Sequence, residues 1–525
     1  MKYIVIFHAN LNYAYLTEAQ YEFVIRRAYE MTLDTLHAHF PEVKYVFEAS
    51  GYTLEHMAQK TPDVLDKLKA AMARGQCEFM GSPYAHPMLP NFLRQDGIWS
   101  LRFSNEVYER LLGTRPKSFW NPECGWRSYV PEQAVEAGYA NMIGDFEAYS
   151  RSCGPDGKPL RPEIYAKEYS QEPAFYNFGF KYDLPGTERA IHFPFSKIHG
   201  IPEGKLCLFL RTDRIAQFGV RYFMGMEGYT FEKYMELIRT YSEQPAGELE
   251  GAVIIFADDA EYIGTNGWFR LKYQNKPDNV FEATPESRQK LIDLITAVHK
   301  LGEFVTLDQA CHDLPALPDE ITFDDDSAWH GARSSTWANT PMARLLRPWQ
   351  DLVRAKLTSS RCRLDPVTQR LAWFHLTNSY NSDGQWPPTL ADAPHIVHPF
   401  NYTYCFDNLL KAEMLVGGVK RGSLKTNPVK TLRDILTLQQ KLVLDKADTW
   451  LASGNGEEKA RAAWAKMLVQ KSQDVSSLRS SKVLYPSDYR IRAEALVEAR
   501  RLVDGVLIEK MLTYKYFSAA RLITP

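Results

Sequence analysis

The octapeptide FWNPECGW, residues 119–126, holds one carboxylate, Glu123, among two tryptophans and a phenylalanine, with no lysine or arginine. Burying a carboxylate in such surroundings is costly unless hydrogen bonds or function offset it. A second acidic group lies in GAVIIFADDAEYIG, residues 251–264, where a mostly apolar run delivers Asp258, Asp259 and Glu261 to a strand end. In strand geometry Asp259 and Glu261 point one way and Asp258 the other. Acids grouped there repel one another and can raise one pKa, as a general acid requires. Alone, the Asp-Asp pair reads more readily as a solvated turn whose aspartate caps a helix. With Glu123 it becomes two carboxylates at strand ends, each flanked by aromatics. Glycosidic bond cleavage needs such a pair: one acid protonates the leaving oxygen, the other attacks the anomeric carbon or activates water there. Trp120, Trp126, Tyr84 and Tyr262 would supply stacking faces for sugar rings. His86, in the proline-stiffened GSPYAHPMLP, and His8, after the first strand, could hydrogen-bond sugar hydroxyls, although a lone histidine is more often structural.

These residues need a scaffold that brings strand ends together. Short apolar runs alternate with helical patterns over the first 310 or so residues: YIVIF (3–7), KYVFEAS (44–50), CEFMGS (77–82), KSFW (117–120), YANMIGD (139–145), GAVIIFADD (251–259) and EFVTLD (303–308). A helix is predicted over 16–40, with Thr17 and Gln20 as a capping box, and another opened by Thr284-Pro285. Such alternation indicates parallel strands in an α/β barrel or a doubly wound sheet. The glycine-rich dinucleotide signature is missing after the first strand. Polar residues instead cluster just past strand ends (His8, Asn10, Glu48, Glu123, Asp145, Asp258 and Asp259), which favours a barrel with its site at the C-terminal rim. Residues 150–226, rich in Gly, Pro, Tyr and Phe, interrupt the pattern and are expected to be a loop-rich insertion over the barrel mouth. The expected domains are a barrel over 1–313 and a mainly helical region over 314–525, where Leu432, Ile435, Leu436, Leu442 and Val443 recur at helical spacing.

Composition narrows the partners. Net charge is −2 over 525 residues, so no basic field favours nucleic acid or an anionic membrane. No segment approaches the roughly 18 apolar residues of a membrane span, and the N-terminus lacks a signal-peptide core. The seven cysteines (Cys77, Cys124, Cys153, Cys207, Cys311, Cys362 and Cys405) are widely spaced with no CxxC pair. Neither a disulfide framework nor a zinc ribbon is expected, and a reduced, cytoplasmic setting is the default. Cys124 beside Glu123 reads as a small buried residue rather than a nucleophile.

The run of segments resembles glycoside hydrolase family 57, retaining α-glucan enzymes built on an incomplete (β/α)7 barrel. FHANLNY (7–13) is similar to the family's first region, with His8 at its histidine and Ala9-Asn10 replacing the usual Gln-Pro. CEFMGSPYAHPMLP (77–90) resembles the second, with His86 at its histidine, and KSFWNPECGW (117–126) the third. FADDAEYIG (256–264) resembles the fourth, and FHLTNSYNSDGQWPP (374–388) the fifth, with its tryptophan further from the aspartate than is usual. The resemblance implies Glu123 as nucleophile, Asp259 as general acid/base, and a substrate site drawing on His8, His86, Trp120, Trp126, Asp258, Glu261, Tyr262, Asp383 and Trp386. It also implies an α-glucan or maltooligosaccharide substrate, no metal and no cofactor, and a 374–388 segment contributing to the cleft.

Two other readings stay open on sequence: a metal-dependent polysaccharide deacetylase on a similar barrel, using His8, His86 and the Asp258-Asp259 pair, and a non-catalytic α-glucan-binding protein. The former expects an HxxxH ligand pair, which residues 8–90 lack. A helical scaffold would explain the C-terminal part but leaves the acidic strand ends unaccounted for. FDDDSAWH (323–330) is expected to be an exposed, solvated loop, the alternatives being a cation site or a lid carrying Trp329.

Overall fold

The computed structural model describes residues 1–14, 16–162, 198–200, 206–242, 253–266, 281–314, 316–317, 323–385, 399–473, 495–496 and 498–503. The apolar runs become staves: β1 (Lys2–Ala9), β2 (Tyr45–Ala49), β3 (Cys77–Gly81), β4 (Ser118–Phe119), β5 (Asn141–Asp145), β6 (Ile198–Gly200), β7 (Cys207–Arg211), β8 (Val253–Asp259), β9 (Glu303–Phe304) and β10 (Ala316–Leu317). They lie in the order β10-β6-β7-β5-β4-β3-β2-β1-β8, with β9 beside β1. Every pairing is parallel except β6 with β7. β2, β5 and β8 are buried along their whole length, as expected of strands covered on both faces. The seven staves β1–β5, β7 and β8 form a nearly closed (β/α)7 barrel, and among the described residues no ladder joins β7 to β8.

Several expectations change. β7 and the helix Asp213–Met224 that follows it fall inside the supposed 150–226 insertion, so its last part is barrel. EFVTLD gives only the two-residue β9, which pairs with the first residues of β1. The predicted 16–40 helix forms in pieces, including a π-helical turn at Ile25–Glu30, and Thr17 makes no side-chain cap. The helix after Thr284-Pro285 starts at Ser287. A complete capping box does occur at Thr306 and Gln309.

Cys207 at the start of β7 is disulfide-bonded to Cys311 in the helix Leu307–Asp313, against the expectation of none. The two lie 104 residues apart, and only the fold brings them together.

Two compact units divide at Ser335/Thr336 rather than at 313/314, because residues 323–335 pack onto the barrel. The second unit is helical in its described residues: Pro341–Thr358, Pro366–Asn378, Pro399–Val416, Pro428–Ser453 and Gly456–Gln473. Leu436, Val443 and Ala447 give its long helix a buried stripe. No described helix is long and apolar enough to cross a membrane.

Candidate active site

Strand register assembles the site. β1 sits between β2 and β8, and His8 pairs in register with Glu48 on one side and Asp259 on the other. Parallel partners in one row project from the same face, so three chemically active side chains converge at the barrel rim. His8 Nδ1 is hydrogen-bonded to Glu48 Oε2, and its Nε2 lies 3.9 Å from Asp259 Oδ1. The His8 ring is stacked on His86 at 4.9 Å and on Trp120 at 4.3 Å. His86 Nε2 is 3.0 Å from Ser82 Oγ and 3.5 Å from Glu48 Oε1. Burial works against charge at Glu48, but the two histidines outweigh it and bring its pKa down to about 2. Burial lowers the His8 pKa in spite of Glu48, so Glu48 carries the charge and His8 donates to it.

Trp120 connects this row to Glu123, three residues later. Glu123 has φ +56° and Cys124 φ +45°, left-handed values that cost energy for any residue with a Cβ. The turn is held by short-range bonds. Asn121 Nδ2 donates to the Gly125 carbonyl at 2.5 Å, and the Cys124 and Gly125 amides return to the carbonyls of Asn121 and Pro122. A Cβ on Gly125 would meet Met88 Sδ at 2.6 Å, which accounts for that glycine. Of the four non-glycine residues with positive φ among the described residues, His86 and Glu123 are predicted site residues, Cys124 adjoins Glu123, and the fourth is His330. Backbone outliers of this kind gather at functional sites. Cys124 is buried, and burial pushes its thiol pKa up, as suits a packing residue.

A second cluster adjoins the first; the sequence showed Asp145 and Asp258 as polar strand ends, but not that Arg211, Asp213 and His330 join them. Asp145 on β5 is in register with Arg211 on β7. The fully buried Arg211 guanidinium donates to Asp145 at 2.8 Å, to Asp213 at 2.9 Å, to Asp258 at 3.2 Å, and to the Ala257 carbonyl at 2.9 Å. His330 Nδ1 is 2.8 Å from Asp213, whose pKa is held down to about 2, burial being overcome by His330 and Arg211. Burial raises Asp145 and takes Glu147 to about 7, with neighbouring acids adding to both. The FDDDSAWH segment therefore docks instead of forming a solvated loop. Trp329 is buried, edge-on to Trp120 at 6.3 Å and over the Arg211 guanidinium at 5.4 Å.

The other predicted residues fall in three groups. Asp258 is enclosed by protein: Oδ2 accepts from Arg211 and Gln217, and Oδ1 from the Asp259 amide. Glu261 departs from the strand alternation expected of it, because β8 ends at Asp259 and Ala260 is αR. Glu261 instead starts a short helix, accepts from the Tyr29 hydroxyl and from the Asn10 amide at 2.8 Å, and is raised by burial to about 8. Gly264 closes that helix against the π-helical turn, where a Cβ would meet the Arg27 carbonyl oxygen at 2.0 Å. Trp126 stacks on Phe323 at 4.3 Å, and Tyr262 donates to the Tyr13 hydroxyl while stacking on Phe281. Asp383 belongs to the second unit, buried in the turn Asp383–Gln385 near Cys405. Trp386 lies outside the described residues.

Among the described residues, two groups have donor sets of the kind that hold cations: His8, Glu48 and His86, and Asp145, Glu147 and Asp213. In the first, His8 and Glu48 satisfy each other; in the second, Arg211 already supplies the positive charge.

The model of glycosyl hydrolase family 57 matches residues 2–312. The chain belongs to that family. Among curated relatives of this family 57 chain, α-amylase 1 of Dictyoglomus thermophilum is 30% identical over 164 residues, 31% of this chain and 24% of that protein. The 4-α-glucanotransferase of Thermococcus litoralis is 28% identical over 134 residues, 26% of this chain and 20% of that protein. The matched stretches thus span a quarter or less of these two relatives. Among solved structures, a family 57 branching enzyme from Thermococcus kodakaraensis superposes with TM-score 0.52 at 14% identity, covering 82% of this chain and 94% of that one. An α-amylase from Thermotoga maritima gives 0.52 at 13%, covering 80% and 94%. At such identities the structures support the fold alone.

Proposed function

We propose that the chain is a retaining α-glucan hydrolase or transglycosylase, with Glu123 as nucleophile and Asp259 as general acid/base. The observation that carries this reading is the link from Asp259 through His8 to Trp120, which brings the two carboxylate-bearing segments to one rim. Asp259 protonates the leaving glucosyl oxygen while Glu123 attacks the anomeric carbon. A covalent intermediate forms, and Asp259 then deprotonates the acceptor. Water as acceptor gives hydrolysis, and a sugar hydroxyl gives transfer. The substrate is an α-1,4-linked glucan or maltooligosaccharide, as the chain's likeness to an α-amylase and a 4-α-glucanotransferase suggests. His86 and the aromatic groups shape its site. Glu261, Asp258, Trp126 and Tyr262 act by supporting the wall rather than by open stacking faces. Five of the seven cysteines are free thiols, which suits a cytoplasmic setting, with Cys207–Cys311 the exception.

Incubation with a maltooligosaccharide, followed by product analysis, tests the reading: shorter chains alone mean hydrolysis, longer and shorter chains mean transfer. Glu123→Gln and Asp259→Asn should each abolish turnover in a folded protein. With an α-glycosyl fluoride donor and azide, Glu123→Gly should form a β-glycosyl azide. Near-normal turnover in either carboxamide variant would refute the site.

A further inference from the structure

We propose that Glu48, acting through His8, is a positioning residue that keeps Asp259 protonated until the leaving group takes the proton. The inference rests on the acid/base role of Asp259 proposed above.

Its basis is one row of side chains across three adjacent strands. Glu48 on β2, His8 on β1 and Asp259 on β8 are in mutual register, so backbone pairing fixes their order. Glu48 is fully buried and hydrogen-bonded to His8 Nδ1, which leaves Nε2 as the nitrogen facing Asp259 Oδ1 at 3.9 Å. His86 and Trp120 stack on the His8 ring and restrict its rotation. The other carboxylate oxygen, Glu48 Oε1, stands 3.5 Å from His86 Nε2.

The chemistry follows from which atoms carry protons. Burial favours neutral His8, and donation to Glu48 places its hydrogen on Nδ1. The Nε2 lone pair then faces Asp259 Oδ1. Two acceptors facing each other disfavour ionised Asp259, and a proton on Oδ1 turns the repulsion into a hydrogen bond. Contacts of this kind are often long in the free enzyme and tighten with substrate. During glycosylation the proton passes from Asp259 to the glycosidic oxygen, which keeps the electrons of the breaking C–O bond, while Glu123 bonds to the anomeric carbon. His8 neither gains nor loses a proton. Ionised Asp259 then faces the lone pair again, which strengthens it as the base that deprotonates the acceptor. Among the described residues, the other titratable groups acting on the row include His86, Asp258, Glu261 and Tyr29. Asp258 is turned to Arg211, and Glu261 and Tyr29 are bonded to each other.

The test compares Glu48→Gln and His8→Asn with the unmutated protein on two donors: a maltooligosaccharide, whose departure needs a proton, and α-maltosyl fluoride, whose departure does not. Each variant should move the alkaline limb of kcat/KM on the maltooligosaccharide down by about one pH unit. Glu48→Gln should lose roughly tenfold or more on that donor while staying within about threefold on the fluoride, and His8→Asn should lose at least about threefold more on that donor than on the fluoride. Using two variants on different strands keeps the test open if one does not fold. An unmoved alkaline limb in a folded variant, or equal losses on both donors, would overturn the proposal. A stoichiometric transition metal that survives chelator dialysis and is lost in Glu48→Gln would also overturn it, making the group a metal site. Asp259→Ala, run in parallel, separates the two levels. If it loses no more on the maltooligosaccharide than on the fluoride, the acid/base assignment itself fails. If it behaves as an acid/base while Glu48→Gln and His8→Asn leave the limb in place, only the role of Glu48 fails.

Discussion

Arg211 on β7 donates from Nε to the carbonyl of Ala257 on β8 at 2.9 Å, across the seam where no ladder joins the two strands among the described residues. The same guanidinium holds three carboxylates, one of which, Asp258, accepts the backbone amide of Asp259. A single buried cation therefore bridges the seam and, through Asp258, reaches the backbone that carries the proposed acid.

Removing that cation should be severe. Arg211→Met would leave Asp145, Asp213 and Asp258 buried without the guanidinium charge, a loss of about 3–5 kcal/mol for breaking a buried pair. Arg211→Lys should fall between, because an ammonium cannot reach all four acceptors from one fixed plane. Urea unfolding would measure both, and a loss under roughly 1 kcal/mol in Arg211→Met would show that the network is not holding the seam.

Glu261 predicts a pH effect. Burial raises its pKa from 4.5 to about 8, so the folded state binds this proton more tightly than the unfolded state. Its favourable contribution is complete below pH 4.5 and is lost progressively as pH climbs through about 8. Glu261→Gln, neutral throughout, should lack that loss. Relative to the unmutated protein its stability should rise across this interval by on the order of a few kcal/mol. Thermal melts at a series of pH values would show it, and a constant difference would contradict it.

Much of the barrel was legible because β1, β2, β3, β5 and β8 are apolar runs ending in polar residues. β7 is just as apolar in CLFLR, but it lies in a stretch dominated by Gly, Pro and Tyr, and that texture concealed it. Glu48 and Asp145 stood out as polar strand ends, yet their partners were invisible, since Glu48–His8 and Asp145–Arg211 are consequences of strand register. Glu261 was misdirected because extrapolating a strand cannot reveal that Ala260 turns αR. The acidic run at 324–326 read as solvated from charge alone, whereas Phe323, Trp329 and His330 are what dock it.

That docking gives another prediction. Trp329→Ala would empty the space between Trp120 and Arg211, and truncation of a packed tryptophan costs roughly 3–5 kcal/mol when the site cannot collapse. The loss should localise to residues 323–335, seen as faster limited proteolysis there with the helices of the second unit unaffected. Cleavage at unchanged rates would mean that Trp329 does not anchor the segment.

The turn at Glu123 carries the last prediction. At φ +56° a side chain with a Cβ pays for its conformation in roughly 1–2 kcal/mol, and glycine does not. Glu123→Gly and Glu123→Ala both remove the carboxylate, so packing and charge losses largely cancel between them, and the backbone term remains. Glycine also gives the unfolded chain more freedom, which opposes part of the gain. The glycine variant should still be the more stable by about 1 kcal/mol in urea unfolding, although both lack the nucleophile. If alanine equals or exceeds glycine there, the turn is not strained. The position of the carboxylate would then be a property of its packing, and not of a backbone held in the left-handed region for the sake of the reaction.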